Sequence, residues 1–344
     1  MMTPRQEQAQ QFCDEILPRV SRTFALSIRL LPGTLGAAVR ESYLLCRIAD
    51  TIEDAPSLAA VEKAELLDLL SASFDDATQL AALGTRLATI EGDEAHVRLA
   101  RNTDLVFAAY FALPALTRDR VRHWVREMIS GMRKFVLAYP KGIRIQSLDE
   151  YKEYCYYVAG TVGYLLTDLW HEHAPSIGAA RYAALRQRCR AFAEALQTVN
   201  ILKDVATDAR HENSIYIPEQ LLRRYGSAHA DILAGQRPDA ALETLVQLAW
   251  RDLDDATTYL LTLPRRAVAI RLFCALPLLF AYATLRDLTR KPGGITQKGI
   301  VKISRAEVKA ITVLSVLGVG SNRLMTRLVS RIRLKPVRLP LFTS

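Results

Sequence analysis

Apolar residues recur three and four positions apart over nearly the whole chain, the repeat of a helix with one buried face. The segments 33–54, 58–88, 96–113, 117–139, 147–170, 176–207, 238–262, 265–287 and 305–331 carry this repeat and are rich in Ala, Leu, Arg and Glu, all strong helix formers. No long run alternates at the period of a strand. The breaks fall at ordinary punctuation: Pro32-Gly33, Pro56, Pro114, Pro140 to Gly142, Pro175, Gly226, Gly235 to Pro238, Pro264, and Lys291 to Gly294. The pattern predicts an all-α, single-domain fold over residues 10–331, with long helices around a central cavity and a basic C-terminal tail at 332–344. Met1 to Ala9 is expected to be a loose end. With 344 residues, half of them hydrophobic, the chain can bury a substantial core.

Acids interrupt two of the apolar faces. In YLLCRIADTIEDAP, residues 43–56, Asp50, Glu53 and Asp54 share one side of a helix, where like charges repel. A helix end turning into solvent before Ala55-Pro56 accounts for this stretch taken alone. A second stretch, LQTVNILKDVATDAR at 196–210, sets Gln197, Asn200, Asp204 and Asp208 along another stripe, with Val199, Ile201, Leu202 and Val205 on the side that wants a core. Two such stripes facing one cavity would offer hard oxygen ligands to Mg2+, or to Mn2+ in its place, with coordination left over for substrate phosphate. That chemistry suits ionisation of a diphosphate ester in a water-excluding pocket. Ser21, Arg22, Arg47 and Lys203 lie in or beside these segments as candidate phosphate contacts, and a plain salt bridge is the alternative for each cation. In YKEYCYYVAGTVGYLLTDLW, residues 151–170, Ala159, Gly160 and Gly163 make a thin-walled helix face beside Tyr154, Tyr157 and Tyr164. This face serves either close packing or a hydrocarbon ligand.

Charge narrows the partners. The net charge is +9, and from Lys302 onward nine Lys or Arg accompany a single acid, Glu307. Such a tail suits reversible contact with an anionic membrane surface, or simply a solvated face. No nucleic-acid reader module is present, so nucleic acid is not an expected partner. The apolar windows FCALPLLFAYATL (273–285) and AITVLSVLGVG (310–320) fall short of a bilayer span and are expected to be buried helices, with no transmembrane anchor. Cysteines 13, 46, 155, 189 and 274 form no CxxC pair, and the amino terminus has no apolar signal core, so a cytoplasmic location is expected, peripheral to the cytoplasmic membrane if the tail docks.

With these blocks in order (VSRTF at 20–24, YLLCRIADTIED at 43–54, YCYYVAGTVG at 154–163, LQTVNILKDVATD at 196–208, FCALPLLFAYATL at 273–285 and VKIS at 301–304) the chain resembles the squalene/phytoene synthase family over residues 15–310, and squalene synthases more than phytoene synthases. The resemblance implies the class I isoprenoid synthase fold. It implies a Mg2+-dependent prenyltransferase that joins two farnesyl diphosphates head to head into presqualene diphosphate and reduces this with NADPH to squalene, a sterol or hopanoid precursor. It also implies roles: metal ligation by Asp50, Glu53, Asp54, Asn200, Asp204 and Asp208, and diphosphate binding by Ser21 and Arg22. Tyr157 would act in the first step. Phe24, Tyr43, Val158, Ala159, Gly160, Gly163, Gln197, Phe273, Cys274 and Pro277 would wall the cavity. Lys298, Lys302 and Arg305 would meet the NADPH phosphates. The segment RDLTRKPGGITQKGI departs from the family's nicotinamide region, which carries asparagines, so the reductive step is less firmly implied than the condensation. Dehydrosqualene, presqualene diphosphate and phytoene synthases are the alternatives within the family, and a helical scaffold without chemistry is the alternative outside it.

Overall fold

A computed structural model describes residues 3–236, 238–290 and 302–338. In chain order the helices are α1 (Pro4–Val20), α2 (Arg22–Ile28), α3 (Gly33–Glu53), α4 (Ala60–Ala72), α5 (Ala77–Leu87), α6 (Glu94–Arg101), α7 (Thr103–Phe111), α8 (Ala115–Ala138) and α9 (Leu148–Cys155). A π-helical turn, Tyr156–Gly160, leads into α10 (Thr161–His173). There follow α11 (Ala179–Arg186), α12 (Cys189–His211), α13 (Glu219–Arg224), α14 (His229–Leu233), α15 (Asp239–Thr262), α16 (Val268–Arg290), α17 (Arg305–Gly318) and α18 (Asn322–Leu334). The described residues contain no strand, only an isolated bridge between Arg144 and Ile215. The all-α expectation holds.

Several helices are shorter than the apolar repeat suggested, because side chains cap them. Over 58–88 the helix stops and restarts where Asp76 Oδ1 accepts the Thr78 N–H at 2.7 Å. Over 305–331 it breaks at Val319 to Ser321, and Ser321 Oγ accepts the Leu324 N–H at 3.4 Å. At the amino terminus, Thr3 Oγ1 accepts the Gln6 N–H at 3.3 Å while Gln6 Oε1 accepts the Thr3 N–H at 2.8 Å. This capping box starts α1 at Pro4 and Ala9 is fully buried, so the expected loose end to Ala9 is corrected.

Two compact units result: Met1–Ile143 with Tyr156–His173, and Arg144–Cys155 with Ala174–Ser344. In the first, α3 packs against α8 and α10, and its Leu44, Leu45, Ile48 and Ile52 are fully buried. A recess of about 630 Å³ in this unit is lined in part by Asp14, Arg40 and Glu41 and holds none of the candidate site residues. Its arginine is already engaged by both acids.

In the second unit α12 packs on α15 and α16. By length and composition Val268–Arg290 could cross a membrane, but 78% of its most apolar window is buried inside the unit. It is a core helix, as expected. The window at 310–320 differs, because Val316 and Leu317 are 54% and 75% exposed. Buried Arg286 donates to Glu307 Oε1 and Oε2 at 2.8 and 3.0 Å and to the Ile332 carbonyl at 2.9 Å, and Glu307 Oε1 accepts the Val337 N–H at 3.0 Å. This network fastens α17, α18 and the segment after them to α16. The apolar side of α18 (Met325, Leu328, Val329 and Ile332) is consequently buried. Residues 339–344 lie outside the described residues.

The second unit also makes a pH-dependent prediction. Burial, and then the neighbouring Asp255 charge, push the Asp252 carboxyl up to about 6. The folded chain therefore holds this proton through a range where the unfolded chain has lost it, and stability falls as pH rises from the ordinary aspartate range towards 6. Asp252→Asn is expected to stabilise the fold by about 1 kcal/mol at neutral pH, discounted for partial exposure, and by close to nothing at about pH 4. Urea denaturation of both chains at the two pH values measures this. An equal difference at both would contradict it.

Candidate active site

In the first unit the site residues grow out of the C-terminal half of α3. One side of this helix is core, and the other carries Tyr43, Arg47 and Asp50 one turn apart. Arg47 is the hub: its Nη2 donates to the Tyr43 hydroxyl at 3.0 Å, its Nη1 lies 3.2 Å from Asp50 Oδ2, and its guanidinium sits 5.5 Å from the Tyr43 ring centre. The Arg47 Nε is buried with no hydrogen-bond partner, a donor left over in an otherwise satisfied set. Burial pushes the Asp50 carboxyl above its ordinary value, with Arg47 and then His96 opposing the shift. Even so, 24% of its side-chain surface remains open to solvent. Glu53 is half-buried on the last turn, and Asp54 is the exposed C-cap, its N–H bonded to the Asp50 carbonyl at 2.8 Å. Lys63 Nζ, from α4, reaches the Glu53 carbonyl at 2.5 Å and caps the same helix end.

Ser21 and Phe24 stand at the start of α2, where Ser21 Oγ accepts the Phe24 N–H at 3.1 Å and the Phe24 ring lies 5.6 Å from that of Tyr43. Arg22 opens α2; its side chain lies outside the described ones. Tyr157 occupies the π turn, a distortion common at functional sites, together with Val158 and the buried Ala159 and Gly160. Its ring lies on the backbone of Gly131 in α8: a Cβ built on Gly131 would stand 2.0 Å from Tyr157 Cγ. Beside it Tyr156 donates its hydroxyl to Glu127 Oε1 at 3.1 Å, and burial raises that phenol to about 12. Gly163 is buried on the following helix.

In the second unit, α12 buries Val199, Ile201, Leu202 and Val205 and turns its polar stripe outward. Gln197, Asp204 and Asp208 are half-buried, and Asn200 and Lys203 are exposed. Lys203 Nζ lies 3.1 Å from Asp204 Oδ2. Asp208 stands on the last turn, its carbonyl accepting the N–H groups of Glu212 and Ser214 at 3.0 Å each. On α16, Phe273, Cys274 and Pro277 are buried, and burial raises the Cys274 thiol. Lys302 and Arg305 are exposed on either side of Ser304, the N-cap of α17, and Lys298 lies outside the described residues.

Asp50, Glu53 and Asp54 at the end of α3, and Asp208 on the last turn of α12, sit where the helix dipole is negative and a carboxylate is least welcome, whereas Asp204 lies two turns before the end of α12. A cation placed there relieves both the dipole and the mutual repulsion. Among the described residues no three His, Cys, Asp or Glu side chains gather closely enough to hold a metal ion among themselves. The donors present are carboxylate and amide oxygens with open sides, a set that fits a hard divalent ion held by one or two carboxylates, with the remainder of its shell from water and phosphate. Sequence reasoning missed Lys63, Glu127 and Gly131. Only Gly131 left a trace, as a glycine inside a long helix where it costs about 1 kcal/mol relative to Ala.

A family model described as squalene/phytoene synthase matches residues 17–307. The chain belongs to the squalene/phytoene synthase family. Squalene synthase 1 of Arabidopsis thaliana is 28% identical over 80% of this chain, and the squalene synthase of Schizosaccharomyces pombe 28% identical over 88%. The chain spans 64% of the length of each, a little under two thirds. A solved structure of TcSQS with the ligand BPH1237 superposes with a TM-score of 0.79 at 23% identity, covering 98% of this chain and 94% of that one. This likeness shows the fold, the all-α fold of the terpenoid synthases.

Proposed function

We propose that the chain is a prenyltransferase that condenses two farnesyl diphosphates head to head into presqualene diphosphate and reduces the product with NADPH to squalene. The observation that carries this reading is the placement of Asp50 and Asp54 at the C-terminal end of α3, and of Asp204 and Asp208 one turn apart on the polar stripe of α12, with Asp208 in its last turn. Asp50, Glu53 and Asp54 on α3, and likewise Asn200, Asp204 and Asp208 on α12, would each offer oxygen ligands to Mg2+, or Mn2+. When bound, the ion neutralises the charge that grows on the departing diphosphate.

The remaining steps belong to the chain's own residues. Arg47, already aligned by Tyr43 and Asp50, has a spare buried N–H to offer a diphosphate oxygen, and Lys203 beside Asp204 has further donors. Ser21 and Arg22 at the start of α2 would also bind diphosphate. Breaking the C–O bond of one farnesyl diphosphate leaves an allylic cation; the 2,3-double bond of the second attacks it, and loss of a proton closes the cyclopropane. Tyr157 acts in this first step. The apolar residues of α16 around Phe273, Cys274 and Pro277 would exclude water from the second ionisation, and NADPH, when bound, would supply hydride to the cation. Lys302 and Arg305, with Lys298, would hold the phosphates of that cofactor. The five buried cysteines, with no disulfide among the described residues, support a cytoplasmic setting.

The test is product identification after incubation with farnesyl diphosphate and Mg2+. Squalene is expected only when NADPH is added. Presqualene diphosphate under both conditions would remove the reductive step, dehydrosqualene without NADPH would replace it, and turnover of geranylgeranyl diphosphate alone would move the reading to phytoene.

A further inference from the structure

One end of the second unit is built from two turns, Leu263 to Ala267 between α15 and α16 and Val319 to Ser321 between α17 and α18, and a buried arginine locks them together. Arg271, with no exposed surface, donates its Nε to the Val319 carbonyl at 2.8 Å and its Nη1 to the Leu263 and Leu260 carbonyls at 2.6 and 3.2 Å. Its Nη2 donates to Asn322 Oδ1 at 2.8 Å, and Asn322 Nδ2 returns to the Leu261 carbonyl at 3.0 Å. Every acceptor is neutral, so the Arg271 charge is hydrogen-bonded but not cancelled.

The surface of this end combines two properties. It exposes large apolar side chains: Leu317 at 75%, the highest among the exposed large hydrophobic residues described, with Val316 at 54%, Leu324 at 46% and Val268 at 45%. The segments that build it also carry cations and no acid. No Asp or Glu occurs from Ala256 to Leu285 or from Val308 to Arg338, whereas Arg265, Arg266, Arg323 and Arg327 are all exposed. The one acid of the C-terminal region, Glu307, is buried against Arg286.

We propose that this end is a membrane-docking tip, on which Val316, Leu317, Leu324 and Val268 enter the headgroup and acyl boundary while Arg265, Arg266, Arg323 and Arg327 meet anionic lipid headgroups. Apolar residues at an outward helical corner ringed by cations match the two components of interfacial binding, apolar burial and attraction to anionic lipid. A second copy of the chain is the poorer occupant, since a two-fold contact through this patch would set the four arginines against their own kind. The docking element is thus the rigid corner clamped by Arg271, not α18 lying on the bilayer, because the apolar side of α18 is used inside the unit.

The test is co-sedimentation of the full chain, without substrate, with phosphatidylcholine vesicles and with vesicles containing about 30% phosphatidylglycerol. Binding is expected to the anionic vesicles only and to be weakened by about 0.5 M salt. The double variants Val316→Ser with Leu317→Ser and Arg323→Gln with Arg327→Gln are each expected to lower the partition coefficient by about tenfold or more with unchanged thermal melting. No binding to anionic vesicles, or equal binding by both double variants, would overturn the proposal. So would a dimer in solution that the Val316/Leu317 variant dissociates. Because no substrate is present, failure here leaves the proposed condensation untouched, and failure of the condensation leaves the tip intact.

Discussion

Asp50→Asn is expected to cut diphosphate release from farnesyl diphosphate by about a thousandfold, the several kcal/mol that charge stabilisation by a bound ion supplies. The substitution keeps the side-chain volume and a hydrogen-bonding oxygen for Arg47, so the fold should survive. What it removes is the negative charge at the end of α3. Asp204→Asn on α12 is expected to fall to a comparable degree for the same reason, although it touches a different helix in a different unit. Diphosphate release, read alongside circular dichroism, checks both. Unchanged release in the two variants would refute the metal assignment while leaving the fold in place.

Gly131→Ala is expected to have the second-largest effect, without touching any acid. A methyl group at this position would stand 2.0 to 2.3 Å from three atoms of Tyr157, well inside contact distance, with one partner on α8 and the other on the π turn. Either the ring or the wall of α8 must move. Overpacking of this kind costs about 1 to 3 kcal/mol in stability, and misplacing a reacting group by about an ångström lowers the rate by about a hundredfold. Formation of presqualene diphosphate should fall by that factor, while Gly84→Ala, in α5 where nothing lies within 4 Å of the added methyl, leaves it unchanged. Equal rates for the two variants would show that the packing of Tyr157 on α8 has no part in the reaction.

How much of this was legible in the chain depends on whether the signal was local. α3, α8, α12, α15 and α16 follow the three-and-four apolar repeat because each needs one buried face, and the acids of α3 and α12 stood out because they interrupt it. The ends of α4, α5, α17 and α18 were not legible from periodicity, since single side chains such as Asp76 and Ser321 decide them by accepting a backbone N–H. Non-local partners were hidden altogether. Gly131 matters only because Tyr157, 26 positions later, lies on it, and the end of α18 and the segment beyond it are held by Arg286 and Glu307 of other helices. The apolar window at 310–320 shows the same limit: its hydropathy cannot say that Val316 and Leu317 fall on the outer side of a corner.

The claim at the centre of this account is that oxygen donors at two helix ends make prenyl diphosphate ionisation depend on a divalent ion. The most direct measurement is the rate of diphosphate release from farnesyl diphosphate by the unmodified chain with Mg2+, after chelation by EDTA, and after Mg2+ is restored in excess. Release is expected with Mg2+, with loss to the uncatalysed rate on chelation and full recovery on restoration; release that persists through chelation would contradict the metal assignment.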